Sequence, residues 1–133
     1  MIVRTLDEAK STDREVSTET WVSRRLLLAD DGMGFSLHDT TIRAGSEIPM
    51  CYRNHLEAVY CVAGRGSVEV VGTGLRFDIR DGTVYALDQH DDHILRAETD
   101  MRMVCVFNPP LVGPETHDGT GAYPLLAPVP DNG

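Results

Sequence analysis

The sequence predicts an all-β domain, a small antiparallel barrel or sandwich. Three observations carry this prediction: short β-rich runs recur along most of the chain, glycine-containing turns separate them, and no helical period of useful length competes. The predicted strands are Trp21–Leu28, Phe35–Ile42, Glu47–Tyr52, Glu57–Val62, Ser67–Val71, Leu75–Ile79, Thr83–Leu87, His93–Ala97 and Met103–Phe107. The breaks between them fall at 30–34, 44–45, 63–66, 72–74, 80–82 and 89–92.

The ends of the chain read differently. Ile2–Arg4 predicts a short strand. Thr5 and Glu8 then form a capping-box pattern, because each side chain can satisfy a free backbone N–H of the other. A short helix over about residues 6–10 follows, and Ser11–Thr20 is polar and reads as loop. Six of the seven prolines lie between Pro109 and Gly133, which bars that segment from a sheet interior. It is expected to cover the barrel, with residues 126–133 as a disordered tail. With 133 residues, the chain has room for one domain, placed at 1–125.

Composition narrows the function. The net charge is −9, and Arg24-Arg25 is the one adjacent basic pair, so a nucleic-acid or anionic-membrane surface is not expected. The odd count of three cysteines, with Cys61 and Cys105 in apolar runs, reads as reduced thiols in a cytoplasmic protein. The N-terminal residues show no apolar segment of signal-peptide type, and no run approaches bilayer-spanning length.

Motif spacing gives more. Gly45 is followed after five residues by Cys51, then by Arg53, by Glu57 after three more, and by Gly64 after six more. A second run passes from Gly74 through Arg80, Gly82 and Tyr85 to Gln89. Together they resemble the two motifs of the cupin family, a small jelly-roll barrel, with Cys51, Arg53 and Tyr85 standing where cupins usually place metal-binding histidines. The resemblance implies an altered metal centre or a lost one.

Glu57 opens an otherwise apolar strand, where a carboxylate is costly unless paired, hydrated or bound to a cation. Tyr85 follows a turn, and His93 starts the next strand, so a hairpin is expected to bring them opposite each other. Glu57, Tyr85 and His93 offer two oxygens and one nitrogen, a set suited to iron(II) or another divalent transition metal. Singly, each has an ordinary reading as a solvated or packed side chain; the case rests on the three as a set. His55, Tyr52, Thr40, Trp21, Arg25, Cys105 and Phe107 can line the same cavity. Glu115 and His117, two apart in the Pro-rich cover, are a candidate acid–base pair.

His55-Leu-Glu-Ala-Val-Tyr-Cys61, Tyr85-Ala-Leu-Asp-Gln-His-Asp-Asp-His93 and Cys105-Val-Phe-Asn-Pro-Pro-Leu111 resemble segments of the ectoine synthase family. Met1-Ile-Val-Arg4, Asp31-Gly-Met-Gly-Phe-Ser36, Gly113-Pro-Glu-Thr-His-Asp118 and Gly121-Ala-Tyr-Pro124 extend the likeness. It implies an iron-dependent homodimeric hydro-lyase that cyclises N-γ-acetyl-L-2,4-diaminobutyrate to ectoine, a compatible solute, with loss of water. It implies metal ligation by Glu57, Tyr85 and His93. It implies a substrate pocket of Trp21, Arg25, Thr40, Cys105 and Phe107, with Tyr52, His55, Glu115 and His117 as acid–base candidates. Arg53-Asn54 departs from the family's common Lys-His. Two other readings keep the fold: an oxygen-consuming iron enzyme, and a non-catalytic small-ligand binder.

Overall fold

Period-2 alternation of inward and outward side chains governs the architecture. The protein, described here by a computed structural model over residues 1–126, has a four-residue helix α1 (Leu6–Ala9) and ten strands. The strands are β1 (Glu15–Ser17), β2 (Trp21–Leu27), β3 (Ser36–Ile42), β4 (Glu47–Met50), β5 (Leu56–Ala63), β6 (Gly66–Val70), β7 (Arg76–Ile79), β8 (Val84–Leu87), β9 (His93–Ala97) and β10 (Met101–Asn108). They form two antiparallel sheets, a six-stranded one in the order β1-β2-β3-β10-β5-β8 and a four-stranded one in the order β4-β9-β6-β7. The expected all-β barrel is what is found. The tail expected over 126–133 lies, except for Leu126, outside the described residues.

Register places the site. Arg25, His38, Cys105, Val59 and Tyr85 stand side by side across β2, β3, β10, β5 and β8. The next row runs Ser36, Phe107, Glu57 and Leu87. Glu57 and Tyr85 are therefore diagonal neighbours on paired strands, close enough for long side chains to meet. The facing sheet contributes Met50 and His93 as direct partners. Cys61, Met101, Met103, Phe107 and Leu111 are essentially sealed from solvent and form the floor of the core.

Four local expectations need correction. Ile2–Arg4 is not a strand: no neighbour pairs with it, and Arg4 instead makes a two-pronged ion pair with Asp31, both bonds at 2.8 Å. The stretch Ser11–Thr20 contains β1, a polar edge strand whose Glu15 lies opposite Arg24 in β2. The break at 30–34 begins with a short 3-10 turn, Ala29–Asp31, which opens at Leu28 and ends at a left-handed Gly32. Tyr85 and His93 are not hairpin partners: β8 pairs with β5, whereas β9 pairs with β4 and β6 in the other sheet. Residues 88–92 cross between the sheets. The capping box at Thr5 and Glu8 forms as expected, with bonds of 3.3 and 3.2 Å.

The cover, from Pro109 onward, is irregular but fastened. Leu111 N–H donates to Ser36 Oγ at 3.0 Å, and Cys51 N–H donates to Gly121 O at 3.1 Å. Asp118 Oδ1 accepts from Thr120 N–H at 2.8 Å and closes a tight turn.

Candidate active site in the barrel lumen

Trp21, Thr40, Tyr52, Glu57, Tyr85, Cys105, Phe107 and His117 line one cavity of about 430 Å3, counted to its open mouth. Arg25, His55, His93 and Glu115 are buried in the surrounding wall. Eight of the twelve sequence-predicted site residues thus line one cavity. The sequence reading missed Tyr123 and His38, which line the same cavity. His38 shared the inward face with Thr40, which was a usable signal. Tyr123 sits in a Gly- and Pro-containing segment with no periodicity, and its one signal was the family likeness of Gly121-Ala-Tyr-Pro124.

Alternation explains the wall. β2 turns Trp21, Ser23 and Arg25 inward, and β10 turns in Met101, Met103, Cys105 and Phe107. Arg25 has no exposed surface. Its Nη1 donates to Gly113 O at 2.6 Å and its Nε to Ser23 Oγ at 3.3 Å, while Nη2 has no hydrogen-bond partner among the described residues. Burial lowers its pKa, and the Glu115 carboxylate, 4.0 Å away, only partly offsets this. A buried guanidinium with a free donor is a ready site for a carboxylate.

Glu115 is less free than its sequence context implied. Its Oε1 accepts from Gly113 N–H and its Oε2 from Val112 N–H, both at 2.7 Å. It shapes the cover and balances Arg25. His117 faces the lumen and bonds Tyr52 Oη through Nε2 at 2.8 Å. Burial, aided by the Arg25 charge, lowers its pKa to about 4, so it is neutral near pH 7. His55 has a buried Nδ1 without a partner and sets its ring edge-on to Phe107, 5.9 Å between centroids.

The donor set of Glu57, Tyr85 and His93 fits a divalent transition metal. His93 Nδ1–H donates to Asp91 O at 2.9 Å, which leaves Nε2 as the lone-pair nitrogen, buried and unpartnered. Metal-binding histidines are oriented in this way. Burial raises the Glu57 pKa to about 8 and pushes the Tyr85 phenol and Cys105 thiol well up. Burial is the main cause of all three shifts, and a bound cation would offset it. Among the described residues, no three His, Cys, Asp or Glu side chains cluster as a metal site, so the set depends on the Tyr85 phenol.

Comparison with known proteins agrees with this geometry. The family described as ectoine synthase matches residues 1–127. The L-ectoine synthase of Sporosarcina pasteurii is 61% identical over 131 residues, covering 98% of each chain. That of Desulfatibacillum aliphaticivorans is 59% identical over 128 residues, covering 95% of this chain and 98% of its own. The crystal structure of ectoine synthase from P. lautus superposes with a TM-score of 0.86 at 57% identity, covering 100% of this chain and 96% of that one. An RmlC-like cupin from Shewanella frigidimarina, at 20% identity and a TM-score of 0.62 over 75% of this chain and 86% of its own, shares the fold. With its barrel, its lumen residues and its near-complete alignment all in accord, the chain belongs to the ectoine synthase family.

Proposed function

We propose that the lumen is the active site of a hydro-lyase that closes N-γ-acetyl-L-2,4-diaminobutyrate into ectoine, assisted by iron(II) held by Glu57, Tyr85 and His93. The family membership carries the reaction. The buried His93 Nε2, with no partner among the described residues, is the observation that supports the metal. When bound, iron(II), or another divalent transition metal, supplies Lewis-acid polarisation of the acetyl carbonyl.

The chain's own groups do the rest. Arg25, with Nη2 free, binds the substrate carboxylate, and Thr40 adds a hydroxyl at the lumen wall. Trp21 and Phe107 are rigid apolar walls that hold the chain folded, with amine near carbonyl. The attacking α-amine must lose a proton, and Tyr52 and His117, hydrogen-bonded at 2.8 Å on the cavity wall, are the proton-carrying pair placed to take it. The same pair returns a proton to the departing hydroxyl, so one water leaves and no net proton is consumed. Apolar lining by Met103, Val59 and Leu95 excludes the bulk water that would reopen the ring.

The protein also pairs as a homodimer in this reading. Strand β8 ends the six-stranded sheet, and beside it Leu56, Tyr60, Val62 and Val84 expose apolar surface. The three free, buried cysteines support a reducing, cytoplasmic setting. No helix among the described residues is long and apolar enough to cross a membrane.

The direct test is an anaerobic assay of iron(II)-loaded protein with N-γ-acetyl-L-2,4-diaminobutyrate, following ring formation by proton NMR. Ectoine is expected, with the rate falling sharply after chelation and returning with iron(II). Oxygen uptake coupled to turnover, or folded and loaded protein that leaves the substrate unchanged, would overturn the reading.

A further inference from the structure

We propose that Tyr123 is a positioning residue for the reaction, setting Arg25 and the aromatic walls of the lumen, and that Asn54 holds Tyr123 in place from outside the barrel. The proposal rests on the lumen being the active site. Tyr123 is buried although it lies in a segment with no regular secondary structure. Its ring stacks on Tyr52 at 5.1 Å between centroids and 22° between planes. It meets His117 at 4.7 Å and Phe107 at 5.3 Å, and stands edge-on to Trp21 at 6.5 Å. The Arg25 guanidinium carbon lies 5.5 Å from its centroid, nearer than the 6.0 Å to Trp21.

One ring therefore contacts the proposed carboxylate clamp, two apolar walls and both members of the proton-transfer pair. A guanidinium over an aromatic face is attracted by the ring quadrupole, more strongly when desolvated. That fixes the plane of the fork whose Nη2 has no protein partner. No helix or strand holds Tyr123. Its backbone is held instead by the β4–β5 connection: the exposed Asn54 donates from Nδ2 to Tyr123 O at 3.0 Å, and Cys51 N–H donates to Gly121 O at 3.1 Å. Gly121, at φ 79°, lets the cover pass so close that an added Cβ would lie 2.7 Å from Pro49 O. Among the described residues, Asn54 is thus the one side chain that donates to the Tyr123 carbonyl, and it is exposed.

Trp21 is the only tryptophan, is nearly sealed and faces Tyr123, so its emission reports whether the cover is seated. Acrylamide quenching and steady-state kinetics would be measured on the iron(II)-loaded full chain and on Asn54→Ala, Asn54→Asp, Tyr123→Phe and Tyr123→Leu. Asn54→Asp keeps the shape but has no N–H to donate. Both Asn54 variants are expected to raise quenching about 3-fold and KM about 5-fold, with kcat within about 2-fold, on loss of one hydrogen bond. Tyr123→Phe keeps the ring but loses the hydroxyl that meets Arg25 and Tyr52, and is expected to raise KM by no more than about 3-fold. Tyr123→Leu removes the ring and is expected to lower kcat/KM about 100-fold with its metal content unchanged. Wild-type quenching and KM in both Asn54 variants would overturn the latch, and wild-type kcat/KM in Tyr123→Leu would overturn the positioning role. Were the wild type to form no ectoine, the reading of the lumen would fall, and quenching would still decide whether Asn54 seats Tyr123.

Discussion

Arg25, Trp21 and Glu57 separate three contributions that a single activity assay would merge. Arg25→Lys keeps a charge but loses the planar fork and its stacking. It is expected to raise KM by about 10- to 100-fold, with smaller change in kcat, in steady-state kinetics. Trp21→Ala is expected to retain metal and lose most activity, whereas Glu57→Ala loses both, and metal content by elemental analysis tells them apart. Full activity in metal-free Glu57→Ala would remove the metal from the reaction. His117 carries a pH signature of its own. Its pKa falls from 6.5 to about 4 through burial, so the folded state favours the neutral ring. The stability from that preference is present above pH 6.5 and is lost as pH falls through about 4. His117→Asn should therefore flatten the acid limb of stability, read as urea midpoints at pH 7 and about 4.5.

The β5–β6 turn shows why two glycines stand where they do. At Gly64, φ is 113° and an added Cβ would collide with Asp100 O; at Gly66 it would collide with Arg96 O. Both neighbours are backbone and cannot swing away. Gly64→Ala and Gly66→Ala are each expected to destabilise by about 3 kcal/mol or more, whereas Gly72→Ala, open on all sides and without a positive φ, stays within about 0.5 kcal/mol. Thermal midpoints would show the contrast. Strands with clean alternation were legible: His93–Ala97 is matched at both ends, and β2, β3 and β8 to within one residue at an end. Strand β10 begins at Met101, two residues before the predicted start, because its pairing with Ile42 carries it back to the end of the preceding bend, next to Asp100. Polar β1 was not legible, since an edge strand is made by its partner and not by its own composition. Ile2–Arg4 had strand composition and found no partner. The site was readable where side chains alternate on strands, and was lost at Tyr123, whose position depends on contacts from Asn54 and Cys51, far away in sequence.

The two sheets are joined mainly by side-chain packing, and the candidate ligands are divided between them: Glu57 and Tyr85 on one, His93 on the other. The edge strand β8 and its apolar neighbours give the assembly a testable size. Sedimentation is expected to give a dimer mass that persists at micromolar concentration, and a monomer would remove the homodimer from the proposal. Val84→Lys on that edge should shift the mass toward monomer without emptying the lumen of metal. The division of ligands has a separate consequence. A cation gripped from both sheets would bind the folded chain and have no equivalent site in the unfolded one, so under the proposed function folding and metal supply would be linked equilibria. Free metal at about 100 times its dissociation constant would add about 2.7 kcal/mol to folding. Scarcity of iron would then reach the cell twice, by slowing turnover and by thinning the folded pool on which proteases act.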